Sequence, residues 1–277
     1  MNSIKVPYTM EISSLQNPRV KQWTGLLDKK GRDKEGHFLI EGLHLVQEAL
    51  RSDIQPYTVV YSAERERPSE ELRALLVLAA EQRIECVGVS ESVLAKCTDT
   101  QTPQPVFAVM PKLPWKPEHV LKASASGGLV VVIDGVQDPG NLGTIIRSAD
   151  AVGASGVLLG KGTVDLYNPK TVRSTMGSLF HLPIAQGVLT EWLPQAADTG
   201  VGIVTTSLQG AVSCYDYDFR GPTWIVIGNE GQGVSEEVRA LTGQHVLIPM
   251  QGRAESLNAA MAATVILFEA MRQRQSR

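Results

Sequence analysis

Three stretches of this 277-residue chain combine residue types that can hold and act on a ligand, and each follows an apolar, strand-like run. The first, DGVQDPGNLGTIIRSADAVGA (134–154), makes a sharp Gly/Pro turn and enters a helical stretch carrying Arg147 and Ser148. The second, IGNEGQGVSEEV (227–238), spaces Gly228, Gly231 and Gly233 so that the backbone can turn tightly and approach a group that a β-carbon would keep away. The third, IPMQGRAESLNAAMAATVILFEAMRQ (248–273), leaves a strand, passes an irregular loop and opens an amphipathic helix at Ser256 to Asn258. Ligands bind at the C-terminal edge of open parallel sheets, which is where all three stretches fall. Nucleotide and nucleophile signatures do not fit: GNLGTI is not G-x-G-x-x-G, no loop closes in G-K-[ST], and no G-x-S-x-G surrounds Ser256. Taken singly, each stretch also suits an ordinary tight connection.

The elements that must position these residues are strands alternating with helices. Asn17-Pro18 predicts a helix to Leu27, and the polar run DKKGRDKEG (28–36) predicts a loop. A strand is expected over 38–42, a helix over 43–52, a strand over 57–62, a helix capped by Ser69 over 69–83, and strands over 84–89 and 106–110. Three prolines and a small-residue patch then mark a linker over 111–127. Beyond it, LVVVID (129–134) is a continuous apolar run of the buried parallel kind. Further strands follow over 156–160, 183–186, 201–206, 223–228 and 245–249, with a final helix over about 256–273. This alternation predicts an α/β protein with a mostly parallel sheet covered on both faces. The domains expected are 1–110, a linker 111–127, and 128–277.

Composition narrows the class. Hydrophobic residues make up 43% and charged residues 20%, the balance of a globular protein with a real core. No apolar run spans a bilayer, and the leading MNSIKVPYTMEISS has no secretory apolar stretch. Cys86, Cys97 and Cys214 form neither a disulfide framework nor a C-x-x-C pattern, so a reducing cytoplasm and no metal site are expected. Net charge is only −3, yet residues 1–36 hold seven Lys or Arg (Lys5, Arg19, Lys21, Lys29, Lys30, Arg32, Lys34) against four acids, and Arg272, Arg274 and Arg277 close the chain. A basic leading segment can meet phosphates, although the same charges suit a solvated helix.

In order and spacing the three stretches resemble the signature motifs of the SpoU (TrmH-like) RNA methyltransferases of the SPOUT superfamily. Those motifs are N-x-G-x-x-x-R-[ST]-A, G-x-E-G-x-G and I-P-M-x-G-x-x-[ED]-S-L-N. They stand here as Asn141, Gly143, Arg147, Ser148, Ala149; then Gly228, Glu230, Gly231, Gly233; then Ile248, Pro249, Met250, Gly252, Glu255, Ser256, Leu257, Asn258. The resemblance covers 128–277, and 34–110 is similar in pattern to the substrate-binding domain that often precedes this unit. It implies a C-terminal α/β trefoil-knot domain, a homodimer that completes the site, and S-adenosylmethionine as methyl donor to an RNA ribose 2′-hydroxyl, rRNA rather than tRNA. Alternatives are a knotted enzyme acting on an RNA base and a non-catalytic RNA-binding relative.

The resemblance also implies residue roles. Cofactor contacts fall on Thr206, Gly228, Ile248 and Leu257, although Ile248 and Leu257 by spacing alone suit core packing. Catalysis falls on Arg147, with Asn141, Glu230, Ser256 and Asn258 shaping the same pocket. Arg147 is read as a phosphate clamp that stabilises developing alkoxide, since a guanidinium does not readily give up its proton. A salt bridge from Arg147 to Asp150 or Asp138 is the structural alternative, Glu230 is a possible anchor for it, and Ser256 also suits a helix cap. Arg173, in NPKTVRSTMGSLF (168–180), is expected to touch RNA phosphate or to sit on a solvated helix.

Overall fold

The computed structural model describes residues 10–64, 69–125, 127–207, 211–254 and 256–275. Lys5 and Arg277 of the basic segments, and Glu255 of the third motif, lie outside the described residues.

In chain order the elements begin β1 (Met10–Ile12), α1 (Pro18–Gly25), α2 (Lys29–Glu35), β2 (His37–Glu41), α3 (Leu43–Arg51), β3 (Thr58–Ser62), α4 (Glu70–Glu81), β4 (Glu85–Val89), α5 (Glu91–Cys97) and β5 (Val106–Pro111). They continue α6 (Pro117–Ser124), β6 (Leu129–Asp134), α7 (Pro139–Ala151), β7 (Gly156–Leu159), α8 (Pro169–Ser174), β8 (Ile184–Gln186), α9 (Leu189–Asp198), β9 (Gly202–Thr206), β10 (Val212–Ser213), β11 (Thr223–Gly228), α10 (Glu236–Arg239), β12 (Gln244–Leu247) and α11 (Ala259–Gln275). They pack as two compact units, Met1–Leu113 with Tyr167–Phe180, and Pro114–Leu166 with His181–Arg277.

The first unit is a five-stranded mixed sheet, order β1-β4-β3-β5-β2. Val60, Val87, Phe107 and Val109 share one core with Trp23 of α1 and Leu94 of α5. The expected loop over 28–36 is instead the helix α2. The Arg32 guanidinium, buried there, donates to the carbonyls of Leu26 (2.9 Å) and Leu27 (2.7 Å). Composition alone reads that run as polar surface; a buried local side-chain bond anchors it as a helix. The segment 167–180 belongs to this unit rather than to the sheet around it in sequence. Tyr167 stacks on Phe38 with ring centroids 4.6 Å apart, and His44 Nε2 lies 3.0 Å from the Met176 carbonyl.

The second unit is a seven-stranded sheet, order β10-β12-β9-β11-β6-β7-β8, parallel throughout. Val130, Val132, Trp224 and Val226 bury one face against Val120 of α6, Leu193 of α9 and Val238 of α10. The alternate residues Val131, Ile133 and Ile225 are equally buried, on the face that α7 and α11 cover. The presumed linker therefore contains a working helix: α6 starts at Pro117 because proline suits a first turn, and its Val120 fills the core. Strand order reverses between β6 and β11, which opens a crevice at their C-terminal ends.

Candidate active site

Beside that switch point, the C-terminal ends of β9, β11 and β12 and the start of α11 line a cavity of about 520 Å³, within the range of small-molecule sites. Its floor is the glycine turn after β11. Asn229 and Gly233 pair through two backbone hydrogen bonds (2.9 and 3.0 Å), and the Asn229 side chain accepts from the N–H groups of Gly231 (2.9 Å) and Gln232 (3.0 Å). A β-carbon on Gly228 would lie 2.2 Å from the backbone of Gly233 and Val234, so only glycine lets the turn fold back on its strand. The buried carboxylate of Asp134, ending β6, accepts from Ser235 N–H at 2.7 Å and fixes the far side of the turn.

Thr206, Gly228, Ile248 and Leu257 all line this cavity. Leu257 is 42% exposed and Ile248 half-buried, so neither is consumed in the core, contrary to the packing alternative. Ser256 lines the cavity too, but it is not the helix cap: α11 starts at Ala259, and Asn258 Oδ1 accepts from the N–H groups of Ala260 (2.9 Å) and Met261 (3.3 Å).

Glu230 stands at the mouth of the turn and organises what lies beside it. Its carboxylate accepts from the N–H groups of Gln137 (3.1 Å) and Asp138 (3.0 Å) and from Asn141 Nδ2 (2.9 Å). Burial pushes this carboxyl up, but the donors together outweigh burial and hold it below the usual carboxylate range. It is ionised at neutral pH. Asn141 Oδ1 in turn accepts from Asn258 Nδ2 at 3.0 Å, so Glu230, Asn141 and Asn258 form one chain of hydrogen bonds across the three motifs.

Arg147 lies two turns along α7, exposed, with no ion pair among the described residues. The expected partners are taken. Asp138 caps α7 by accepting from Asn141 N–H (2.8 Å), Asp150 accepts from His181 Nδ1 (2.8 Å), and Glu230 faces the turn. Arg173 is not in the cavity wall. It packs in the first unit, 3.2 Å from Asp99 and 4.0 Å from Glu41.

Residues 128–268 match the model of the SpoU rRNA Methylase family, and 17–108 match the MRM3-like substrate binding domain. The chain belongs to the SpoU rRNA methylase family. It is 38% identical to the 23S rRNA (guanosine(2553)-2′-O)-methyltransferase RlmP of Bacillus subtilis, over 93% of this chain and 98% of that one. It is 35% identical to a 23S rRNA (uridine(2479)-2′-O)-methyltransferase of Streptomyces viridochromogenes, over 98% and 95%. Among solved structures it resembles the SpoU methyltransferase AviRb of that organism in complex with AdoMet, with a TM-score of 0.84, 36% identity, and coverage of 94% and 99%. The AdoMet-bound rRNA methyltransferase from Sinorhizobium meliloti gives 0.84, 35%, 95% and 98%. The Bacillus subtilis and Streptomyces viridochromogenes SpoU relatives are named for different nucleosides, a guanosine and a uridine.

Two residues of this SpoU site escaped the sequence reading. Asn229 is a variable position of its motif, although an asparagine two residues before a glycine is a turn former, its side chain bonding the backbone two residues on. Asp134 ends an otherwise apolar strand, a carboxylate where burial would be costly without a partner.

Proposed function

We propose that this chain transfers a methyl group from S-adenosylmethionine to a ribose 2′-hydroxyl of rRNA. The observation that carries the reading is the hydrogen-bonded chain Glu230–Asn141–Asn258 beside a cavity lined by Thr206, Gly228, Ile248 and Leu257. The cavity fits the cofactor in size and in kind: apolar walls for an adenosine, a polar turn at one end, and no bulk above the glycines. When bound, the cofactor supplies a methyl group on a sulfonium, already activated for transfer. The protein must then orient both partners and relieve the hydroxyl of its proton.

Asn141 and Asn258 tie Glu230 of the cavity wall to the start of α11, and Glu230 fixes the turn from which α7 starts. Ser256 presents a hydroxyl to the same cavity. Arg147 carries a fixed positive charge that clamps a backbone phosphate of the RNA and stabilises negative charge developing on the ribose oxygen. Among the described residues no acid pairs with it, which supports this role.

The first unit binds the substrate RNA, with Lys21, Lys29, Lys30 and Lys34 exposed on α1 and α2. Arg173 would join it only by exchanging Asp99, itself half-exposed, for a phosphate. In the second unit β12 pairs beside β9, Ile248, Met250, Ser256 and Leu257 share a cavity wall with the glycine turn, and α11 packs on α7. We read this path as a trefoil knot. The exposed Leu257, Met261 and Phe268 on one side of α11 and its approach are read as the contact of a homodimer. Among the described residues no helix is long and apolar enough to cross a membrane, and we read the enzyme as cytoplasmic, where it would meet its rRNA.

Incubation with methyl-labelled S-adenosylmethionine and separated rRNA and tRNA tests the reading. Label should appear on one ribose of rRNA. Label on tRNA alone, or on a base, would overturn it.

A further inference from the structure

The cavity wall holds a charged group with no assigned work. Of the described residues that line it, Arg239 is the one cationic side chain and Glu230 the one acidic. The Glu230 carboxylate already accepts from the donors of Gln137, Asp138 and Asn141. Arg239, the last residue of α10, is half-buried, and its Nη2 donates to the carbonyl of Val234 at 3.2 Å. That contact uses one of five guanidinium N–H groups. No carboxylate pairs with it among the described residues. A half-buried guanidinium without a counter-charge is costly unless a ligand supplies one.

We propose that Arg239 receives the carboxylate of the cofactor's methionine tail and so sets which way round the cofactor lies. The inference rests on the methyl-transfer reading above. The cofactor carries one anionic group and two cationic ones, the ammonium and the sulfonium, while its adenosine is uncharged. A guanidinium repels the two cations and gains nothing ionic from the adenosine. The carboxylate is the one portion whose shape and charge match its planar fork. Val234, whose carbonyl Arg239 holds, follows directly on the glycine turn. The same side chain therefore braces the turn and faces the ligand. With the tail fixed at Arg239, the reach of the sulfonium within the cavity would be limited to the length of the methionine chain.

Calorimetry on the full chain tests this with two ligands: S-adenosylhomocysteine, which keeps the tail, and 5′-methylthioadenosine, which lacks the amino-acid portion. Arg239→Gln should weaken S-adenosylhomocysteine roughly 10- to 100-fold, the scale for losing a charge-assisted contact. It should leave 5′-methylthioadenosine within about twofold, the scatter of independent contacts. Arg239→Lys should restore part of the loss. Equal weakening of both ligands would reduce Arg239 to a wall residue, and unchanged affinity for both with weaker RNA binding would make it a phosphate contact; either overturns the proposal. Should Arg239→Gln not fold, the carboxamide of S-adenosylhomocysteine decides on the wild-type protein. Binding as tight as that of the acid overturns the proposal, and binding at least about tenfold weaker supports it. A wild-type protein that binds neither adenosine ligand would instead refute the methyl-transfer reading.

Discussion

Asn258 Nδ2 donates to Asn141 Oδ1 at 3.0 Å, while the other end of the same amide caps α11 through the N–H groups of Ala260 and Met261. One side chain thus starts a helix and ties it to the first turn of another, 117 residues earlier in the chain. The two jobs are separable. Asn258→Ala should lose the cap and destabilise by about 1 kcal/mol. Asn258→Ser should keep most of that stability, since serine also caps, yet lose the bond to Asn141. Both should lower turnover. Urea unfolding alongside methyl-transfer rates checks the split, and full activity in Asn258→Ser would show the link to be dispensable.

Glu230 ties stability to pH. Its folded carboxyl lies below the usual value of 4.5, so it contributes stability that is present above the unfolded value and lost as pH falls through the folded one. Glu230→Gln should be less stable than wild type at pH 7, and the gap should close on acidification below about pH 4.5. Urea midpoints measured from pH 7 to pH 3 report this. A gap that stays constant over that range would mean the charge is irrelevant.

Arg147 should matter to turnover and little to the cofactor. Arg147→Ala is expected to bind S-adenosylhomocysteine near normally and to lose roughly 10²-fold or more in rate, as for other positioned electrostatic groups. Arg147→Lys should fail nearly as badly, because a point charge does not replace a planar fork. Recovery of most activity by lysine would refute the geometric argument.

Gly228 is constrained by its own backbone rather than by the ligand. Even Gly228→Ala places a β-carbon 2.2 Å from Gly233 and Val234. The variant should lose cofactor affinity and melt earlier, both from a displaced turn. Calorimetry with a thermal scan shows whether the two effects travel together; unchanged melting with lost binding would point to a direct ligand clash.

Assembly should depend on the outer side of α11. Met261 is 59% and Phe268 43% exposed, an apolar surface that a monomer would leave in water. Light scattering should give about twice the 30.0 kDa of one chain, and Met261→Glu should reduce it to one chain with loss of methyl transfer. A wild-type mass near 30.0 kDa with transfer intact would remove the dimer from the mechanism.

Much of this protein is written locally. The apolar runs 129–134 and 223–228 became neighbouring central strands, and Ser69 caps α4 through Leu72 N–H, because buried parallel strands and helix caps depend on residues close in sequence. Thr206, Gly228, Ile248 and Leu257 are reached through the resemblance to the SpoU motifs, Ile248 and Leu257 against what spacing alone suggests, and all four line the cavity. Relations between distant residues were decided by the tertiary structure. Even at short range, the burial of Arg32 in α2 against the carbonyls of Leu26 and Leu27 is a side-chain bond that composition does not encode. The segment 167–180 leaves the sheet around it in sequence to stack Tyr167 on Phe38, which no periodicity of its own announces. Glu230 is not the anchor of Arg147 but the anchor of the turn at Gln137 and Asp138. Motif spacing brings those residues to one edge of the sheet. Which donor meets which acceptor there is fixed only when β6 and β11 pair, because a hydrogen bond depends on tenths of an ångström that no sequence pattern specifies.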